Sequence, residues 1–178
     1  MMYGQPGTAV NLRVLRSGAK PMTLKITRGD YKIPNPESRV EAGKVGVIKV
    51  YSLESGQASQ IKTQVENLKK QGVQKIVLDL RGLATGTIDE AVNTANLFIN
   101  SGELAKVIGK DNQVTKTFTA DPAKAVFDGK LVVVIDLGTA GPGEVVAAAV
   151  LDRKRGEIVG ERSFGAGTEQ QLFTLRAG

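Results

Sequence analysis

The stretch that most constrains the fold is an apolar run followed at once by a glycine-rich turn and a second apolar run. Residues 131–135 are all apolar, residues 136–144 read Asp-Leu-Gly-Thr-Ala-Gly-Pro-Gly-Glu, and residues 145–151 are apolar again. An uninterrupted apolar run of the first kind is typical of a central strand that is covered on both faces. The stretch therefore predicts a strand, a sharp turn and a buried helix, which is where α/β enzymes place a nucleophile or bind an anion.

The segments upstream of this stretch alternate between strand-like and helix-like patterns. Residues 57–71 carry apolar residues at helical spacing and are followed by Gly72, a typical residue after a helix C-terminus. Thr87 and Glu90 form the pattern of a capping box, which predicts that a second helix begins there. The alternation predicts an α/β layered core. Further strands are predicted at residues 44–51, 75–80, 103–109, 113–119, 157–159 and 171–175, and those at 103–109 and 113–119 are predicted to form a hairpin that turns at residues 110–112.

The N-terminal residues follow a different pattern. Apolar and polar residues alternate over residues 10–14 and again over residues 24–26, which predicts a two-stranded hairpin. Residues 31–42 contain two prolines and have no helical period, so they are predicted to be a linker. The predicted organisation is a hairpin in residues 1–30, a linker in residues 31–42 and an α/β core in residues 43–178.

The amino-acid composition excludes the most familiar catalytic sites. The chain has no cysteine and no histidine, which removes disulfides, cysteine nucleophiles, the Ser-His-Asp triad and the common zinc sites. A Ser/Lys or Thr/Lys pair, a carboxylate pair, or a carboxylate-bound Mg²⁺ or Ca²⁺ is still compatible with the composition. The carboxylates of Asp89, Glu90 and Glu144 stand at helix starts, where capping explains them, so no metal or cofactor is predicted.

The charge of the chain suggests a solvated surface more than a nucleic-acid interface. The net charge is +6 and the pI is about 9.6, but the basic residues are scattered along the sequence, with the densest cluster at residues 152–155. Aromatic residues make up only 4% of the chain and tryptophan is absent, so few side chains could stack on bases. No apolar run is long enough to cross a membrane.

Six short segments match the pattern of one family in the right order. The most distinctive read Gly-Lys-Val-Gly-Val-Ile-Lys-Val, Gln-Lys-Ile-Val-Leu-Asp-Leu-Arg and Val-Gly-Glu-Arg-Ser-Phe-Gly; the segments are residues 6–16, 22–28, 43–50, 74–81, 89–92 and 159–165. Together they resemble the C-terminal processing peptidases, also called tail-specific proteases, which are serine peptidases. The resemblance implies a crotonase-like ββα spiral core that follows the C-terminal remnant of a PDZ domain.

The resemblance also implies where a Ser/Lys dyad would lie. The family's reactive serine stands three residues before a glutamate that matches Glu144, and Gly141 occupies that position here. The family's general-base lysine falls at Ala166. Both positions are therefore vacant.

Other matched positions are partly retained. Gln170 matches a glutamine that orients the family's lysine, and in the oxyanion loop Gly86 is retained while Thr85 stands where the family has a glycine. Asp79 and Arg81 precede this loop, and they either form an ion pair that shapes it or are ordinary solvated charges at a strand end.

The vacant dyad implies a catalytically degenerate peptidase homologue that binds extended peptides or protein C-termini without cleaving them. Two other functions stay open at this point. One is an active serine-type hydrolase that uses an unrecognised nucleophile such as Thr139, and the other is a phosphate- or nucleotide-binding module that uses the glycines of residues 138–144. A scaffold whose groove is unused is a further possibility.

The expected partners are unfolded or extended polypeptides and protein C-termini, with no nucleic acid. The resemblance implies a periplasmic or otherwise extracytoplasmic location, although residues 1–7 lack the pattern of a signal peptide. Members of the family continue beyond the position of residue 178, so the core is expected to be truncated, and unpaired strand edges would favour a homodimer.

Overall fold

The computed structural model describes residues 2, 4–30 and 32–168, and the chain divides into the units Met1–Ile33 and Pro34–Gly178. In the first unit, strands β1 (Ala9–Val14) and β2 (Met22–Thr27) pair antiparallel. Their register runs from Ala9 opposite Thr27 to Val14 opposite Met22. The predicted hairpin is thereby confirmed.

A five-stranded sheet forms the centre of the second unit. Its strands are β3 (Glu37–Glu41), β4 (Val45–Lys49), β5 (Lys75–Asp79), β8 (Lys130–Ile135) and β9 (Glu157–Gly160), in the spatial order β3-β4-β5-β8-β9. All neighbouring pairs are parallel except β3 with β4. The apolar run at residues 131–135 thus lies inside the sheet, between β5 and β9, as its composition predicts.

Within residues 34–168, three α-helices and a second hairpin accompany the sheet. The helices are α1 (Gln57–Lys70), α2 (Ile88–Asn96) and α3 (Pro142–Asp152), and the hairpin is formed by β6 (Glu103–Ile108) and β7 (Val114–Thr119). Helix α2 packs against both α1 and α3. Helix α3 begins three residues before the apolar run that predicts it, because Pro142, whose ring suits the first turn of a helix, starts it.

The core is apolar and continuous between the sheet and the helices. Branched aliphatic side chains of the strands and of helices α1 and α3 are fully buried. Burial of this kind is the main source of folding free energy. The largest fully buried side chains are Ile48, Leu53, Ile61, Leu68, Ile76, Leu78, Leu80, Leu83, Val50, Val65, Val133 and Val146.

The prediction of a linker over residues 31–42 is wrong for its last part. Residues Glu37–Glu41 form β3 and pair with β4 through a turn in which Gly43 and Lys44 have φ values of 74° and 57°. The strand escaped prediction because Val40 is its one apolar residue, so it has no apolar alternation. Its pairing with β4 and a hydrogen bond of 2.6 Å from Ser38 Oγ to Gln64 Oε1 hold it at the sheet edge.

The predicted capping box at α2 forms only in half. Thr87 Oγ1 accepts from the Glu90 N–H at 3.2 Å, as the pattern predicts. The Glu90 carboxylate instead accepts from the N–H groups of Gly56 (3.0 Å) and Ala58 (2.8 Å), at the start of α1. Glu90 therefore caps a neighbouring helix and joins α1 to α2.

Because Glu90 caps α1, we expect its replacement to destabilise the protein more than its position in α2 would suggest. Replacing Glu90 by alanine leaves the Gly56 and Ala58 N–H groups without their acceptor, and we expect the free energy of unfolding in urea to fall by about 1–2 kcal/mol. Asp89→Ala is the matched control, because Asp89 lies in the same first turn of α2 but makes only an exposed ion pair with Lys116 besides its interaction with the helix dipole, and it should cost less than about 1 kcal/mol. Equal losses would contradict the capping role.

Candidate functional site

The glycine-rich turn lies at the carboxyl end of β8, where it meets the loop that follows β5. The Gly82 N–H donates to Asp136 Oδ1 at 2.8 Å, and the Ala140 N–H donates to the Leu83 carbonyl at 2.9 Å. These two bonds connect the loop and the turn. The carboxyl ends of parallel strands are the usual place for a site in an open α/β sheet.

Gly141 occupies the sharpest point of this turn. Its φ of 51° and ψ of −111° are strained for any residue with a side chain. A Cβ built at Gly141 would meet no atom within 4 Å, so a side chain there would project into open space. A strained strand-to-helix turn that exposes one side chain is the geometry that presents a nucleophile in many hydrolases. Here the geometry is present and the side chain is absent.

One carboxylate brings the two predicted dyad positions together. Glu144 Oε2 accepts from the Gly141 N–H at 2.9 Å and from the Ala166 N–H at 2.9 Å. The two positions therefore lie within two hydrogen-bond lengths of each other. Glu144 Oε1 accepts from Ser163 Oγ at 2.7 Å and from the Gly165 N–H at 2.7 Å. The segment after β9 is thus held against the first turn of α3.

The Glu144 carboxyl stays ionised because the hydrogen bonds that it accepts lower its pKa more than burial raises it. Burial acts to raise the pKa of the Glu144 carboxyl, while the hydrogen bonds from Ser163, Gly165, Ala166 and Gly141 lower it, and the net result is a pKa below the ordinary value. The site therefore holds a fixed negative charge beside Gly141.

The turn has almost no N–H group left to bind a ligand. Pro142 has no N–H, and every other residue from 138 to 144 donates its N–H within the protein. The acceptors are Asp136 Oδ1 for Gly138, the Asp136 carbonyl for Thr139, the Leu83 carbonyl for Ala140, Glu144 Oε2 for Gly141, the Ala140 carbonyl for Gly143 and the Gly141 carbonyl for Glu144. Together with two carboxylates, this arrangement opposes anion binding at the turn.

Thr139 is a structural residue in this turn. Its side chain is fully buried, and its hydroxyl lies 2.9 Å from the Leu80 carbonyl and accepts from the Asp136 N–H at 3.1 Å. Asp136 Oδ1 lies 3.2 Å from the same hydroxyl oxygen. A hydroxyl that is buried and engaged in this way connects the ends of β5 and β8 and is closed to a substrate.

The predicted oxyanion loop is tied to the chain after β4. Leu53 donates to the Thr85 carbonyl at 2.8 Å and accepts from the Thr87 N–H at 2.9 Å. Between them, Gly86 has φ 136°, and a Cβ there would lie 2.3 Å from Leu53 backbone atoms. Glycine is therefore required at this position by close backbone approach. Thr85 is exposed.

A charged network at the ends of β4 and β5 includes a lysine that sequence reasoning missed. Arg81 Nε and Nη2 bind the two oxygens of Asp79 at 2.9 and 2.7 Å, so the predicted ion pair is present. Lys49 Nζ lies 3.2 Å from Asp79 Oδ1 and donates to the Arg81 carbonyl. Lys49 could have been found from strand pairing, because it lies directly opposite Asp79 on the neighbouring parallel strand.

Some predicted features lie outside the residues that the structure describes. Gln170 and the predicted strand at residues 171–175 belong to this group. Across the described residues, no cluster of three or more carboxylates could hold a metal ion, and no helix is long and apolar enough to cross a membrane.

The comparisons with known proteins agree on one family. The family model for peptidase family S41 matches residues 44–178. A probable CtpA-like serine protease of Staphylococcus epidermidis (strain RP62A) is 32% identical over 174 residues, which cover 97% of this chain and 35% of that protein. The corresponding protein of Staphylococcus aureus (strain COL) is 33% identical over 177 residues, with 98% and 35% covered. The chain thus spans about a third of the length of these relatives.

Solved structures show the same architecture. The photosystem II D1 C-terminal processing protease superposes with a TM-score of 0.83 and 28% identity, over 98% of this chain and 49% of that one. A putative S41 protease from Bacteroides fragilis, at 20% identity and a TM-score of 0.66, covers 94% of this chain and 50% of its own and shares the fold. The mixed α/β fold is therefore that of C-terminal processing proteases.

The charged network predicts an acid-dependent stability. Burial acts to raise the pKa of Asp79, but hydrogen bonds from Arg81 and Lys49 and the charge of Lys49 outweigh it and lower the pKa from 3.8 to about 2. A carboxyl with a lowered folded-state pKa contributes stability above the unfolded-state pKa and loses it as the pH falls. We expect Asp79→Asn to cost about 2 kcal/mol of unfolding free energy at pH 7, with the difference shrinking between about pH 4 and pH 2.

Urea unfolding at a series of pH values measures this difference. Asp152→Asn is the control, because Asp152 is exposed and forms no ion pair among the described residues. A difference for Asp79→Asn that is independent of pH would contradict the role of the ionised carboxyl.

Proposed function

The chain belongs to peptidase family S41, and from this premise we propose that it is a catalytically degenerate C-terminal processing peptidase homologue. In this proposal it binds extended peptides or protein C-termini and does not cleave them. The observation that carries the proposal is that Gly141 and Ala166 bond to the same oxygen of Glu144. Two positions that the family resemblance assigns to a dyad are adjacent in space, and neither has a side chain that can react.

The absence of both side chains removes the chemistry of acyl transfer. A nucleophile needs a hydroxyl or a similar group, and its activation needs a base within hydrogen-bond reach. Loss of one member of such a unit typically costs about a millionfold in kcat. Loss of both leaves binding energy as the remaining contribution of the site.

A third change points the same way. In strand-turn-helix nucleophile sites, the N–H of the residue after the nucleophile commonly helps to hold the oxyanion. Pro142 stands at that position and has no N–H. The Gly141 N–H is held by Glu144 at 2.9 Å. The first turn of α3 is therefore poorly suited to stabilise a tetrahedral intermediate.

The two alternative functions have less support. Thr139, the candidate for an unrecognised nucleophile, is fully buried with its hydroxyl engaged. Phosphate or nucleotide binding by residues 138–144 conflicts with the internal use of their N–H groups and with the negative charges of Asp136 and Glu144. Peptide binding needs neither a free hydroxyl nor a free anion site.

Peptide binding by strand addition is supported by what surrounds the turn. β9 is the terminal strand of the sheet among the described residues, and an extended peptide can add to such an edge. Three exposed apolar side chains lie in or beside the turn: Leu137 in the turn itself, and Val159 and Phe164 in β9 and the segment that follows it. Extended peptides offer both main-chain partners and apolar side chains for contacts of this kind.

Several finer expectations belong to the same proposal. The S41 core would be a crotonase-like ββα spiral, and the hairpin of β1 and β2 would be the remnant of a PDZ domain. The chain would work outside the cytoplasm and form a homodimer. Cell fractionation tests the location and light scattering tests the dimer; a cytoplasmic, monomeric chain would contradict both.

Restoring activity tests the proposed degeneracy. The unaltered chain should not cleave unfolded protein above background. We expect the double variant Gly141→Ser, Ala166→Lys to remain nearly inactive, and the addition of Pro142→Ala to raise kcat about a hundredfold over the double variant, since one oxyanion donor contributes about that factor. The measurement is turnover of a fluorogenic peptide library.

Turnover by the unaltered chain would reject the proposal. If Thr139→Val abolished that turnover, the threonine hydrolase would replace it. Circular dichroism of each variant shows whether a serine at the strained position 141 is tolerated.

Binding without cleavage is tested by filling the vacant site. Ala166 is half-buried beside Glu144, and Ala166→Trp should weaken binding of an extended peptide with an apolar C-terminus at least about tenfold by steric exclusion. Ala148→Trp, on the exposed face of α3, is the matched control and should leave the Kd unchanged. Fluorescence anisotropy gives the Kd, and an unaltered chain that binds no such peptide would favour an unused groove.

A further inference from the structure

One edge of the sheet carries a local excess of positive charge. At the amino ends of the parallel strands, residues 42–44, 69–75, 128–130 and 152–157 together contain eight cationic residues and three acidic ones, whereas the whole chain has 24 and 18. Seven of the cationic side chains are exposed. Lys69 donates to the Val126 carbonyl at 2.7 Å, and the other six define what we call the basic edge: Lys44, Lys70, Lys75, Lys130, Arg153 and Lys154.

The four segments form one continuous surface. The Lys44 ammonium lies 3.8 Å from a Cβ built at Gly72, just after α1. The Lys130 N–H donates to the Gln74 carbonyl at 3.1 Å, and Arg155 Nη2 donates to the Gly129 carbonyl at 2.8 Å. Each segment therefore touches the next, and charges that are scattered along the sequence are gathered in space.

The charges of the basic edge are not neutralised locally. Among the described residues, none of the six side chains takes part in an ion pair or a side-chain hydrogen bond. Lys75 and Lys130 are register partners on adjacent strands, so two like charges stand side by side. Glu41 is nearby in the fold but pairs with Arg39 at 2.6 Å. Unpaired like charges at close spacing disfavour the folded state.

Helix capping explains only a small part of this excess. The C-termini of α1 and α3 both lie at this edge, and cations there are favourable. Each helix end contributes roughly half a negative charge, so the two ends offset about one of the five excess positive charges. The remainder calls for an anionic partner.

The basic edge lies opposite the vacant site. The strands begin at the basic edge and end at the turn that contains Gly141, and a strand of five or six residues is about 16–20 Å long. A partner bound at the basic edge would therefore leave the turn that contains Gly141 and the carboxyl end of β9 open on the far side.

We propose that the basic edge docks the protein on a membrane surface that carries anionic lipid headgroups. Five of its six cations are lysines, which act as compact point charges suited to diffuse attraction, whereas base recognition favours arginine. Phe127, which directly precedes residues 128–130, is buried against the ring of Phe98, which is also buried, so neither can stack on bases. A broad surface of lysines without a reading helix or a stacking platform fits a layer of headgroups better than a nucleic acid.

Vesicle binding tests this proposal. The unaltered chain should cosediment with vesicles of phosphatidylglycerol and phosphatidylcholine, and not with phosphatidylcholine alone, and salt should weaken the binding. A triple variant with Lys75→Gln, Lys130→Gln and Lys154→Gln should bind about a hundredfold more weakly, since each cation near an anionic surface contributes about a fivefold factor. Its thermal midpoint should not fall, because repulsion is removed.

A matched triple variant separates the edge from net charge. Lys62→Gln, Lys106→Gln and Lys110→Gln remove the same charge elsewhere and should reduce vesicle binding far less. Equal losses in the two triple variants, or no binding of the unaltered chain to anionic vesicles, would overturn the proposal. Binding to duplex DNA or single-stranded RNA, abolished by the edge variant while vesicles are not bound, would assign the edge to nucleic acid instead.

Discussion

The carboxylate of Glu144 accepts four hydrogen bonds, and the arrangement of the candidate site depends on it. The carboxylate joins the first turn of α3 to the segment that follows β9. An ionised carboxylate that is partly buried is stable only when donors surround it. Three of these donors are backbone N–H groups and one is the Ser163 hydroxyl. The contact therefore does not require a cationic side chain at position 166, and the site keeps its shape with alanine there.

The turn at residue 141 can keep its shape without a side chain at that position. A side chain at position 141 would strain the backbone at φ 51°, a cost that a nucleophile justifies and that a chain without one need not bear. Glycine removes that strain and leaves the turn unchanged. Pro142 likewise suits the start of a helix but cannot donate to an oxyanion. Gly141 and Pro142 therefore stabilise the turn but supply neither a nucleophile nor an oxyanion donor. A stable turn of this kind agrees with a protein that retains the S41 fold.

The fold could be predicted wherever a local pattern was strong. The apolar run of β8, the spacing of α1 with Gly72 after it, and the two hairpins were all recognisable from sequence. The pattern failed for β3, whose residues are mostly polar and which is held by pairing at the sheet edge. The capping-box motif correctly identified the start of α2, but it did not predict that the Glu90 carboxylate accepts hydrogen bonds from N–H groups at the start of α1. Pairing between distant segments has no signature in a single local window.

The sequence by itself determined what chemistry is absent, because a missing histidine or cysteine cannot be supplied by folding. It also determined the positions, Gly141 and Ala166, at which a family resemblance expects reactive groups. Only the tertiary structure decided that these positions meet at one carboxylate oxygen, that the N–H groups of the turn are already used, and that Thr139 is enclosed. It also decided that scattered cations collect at one edge. Hydrogen-bond partners and electrostatic fields depend on distances in space, and residues far apart in the chain become neighbours only when the sheet assembles.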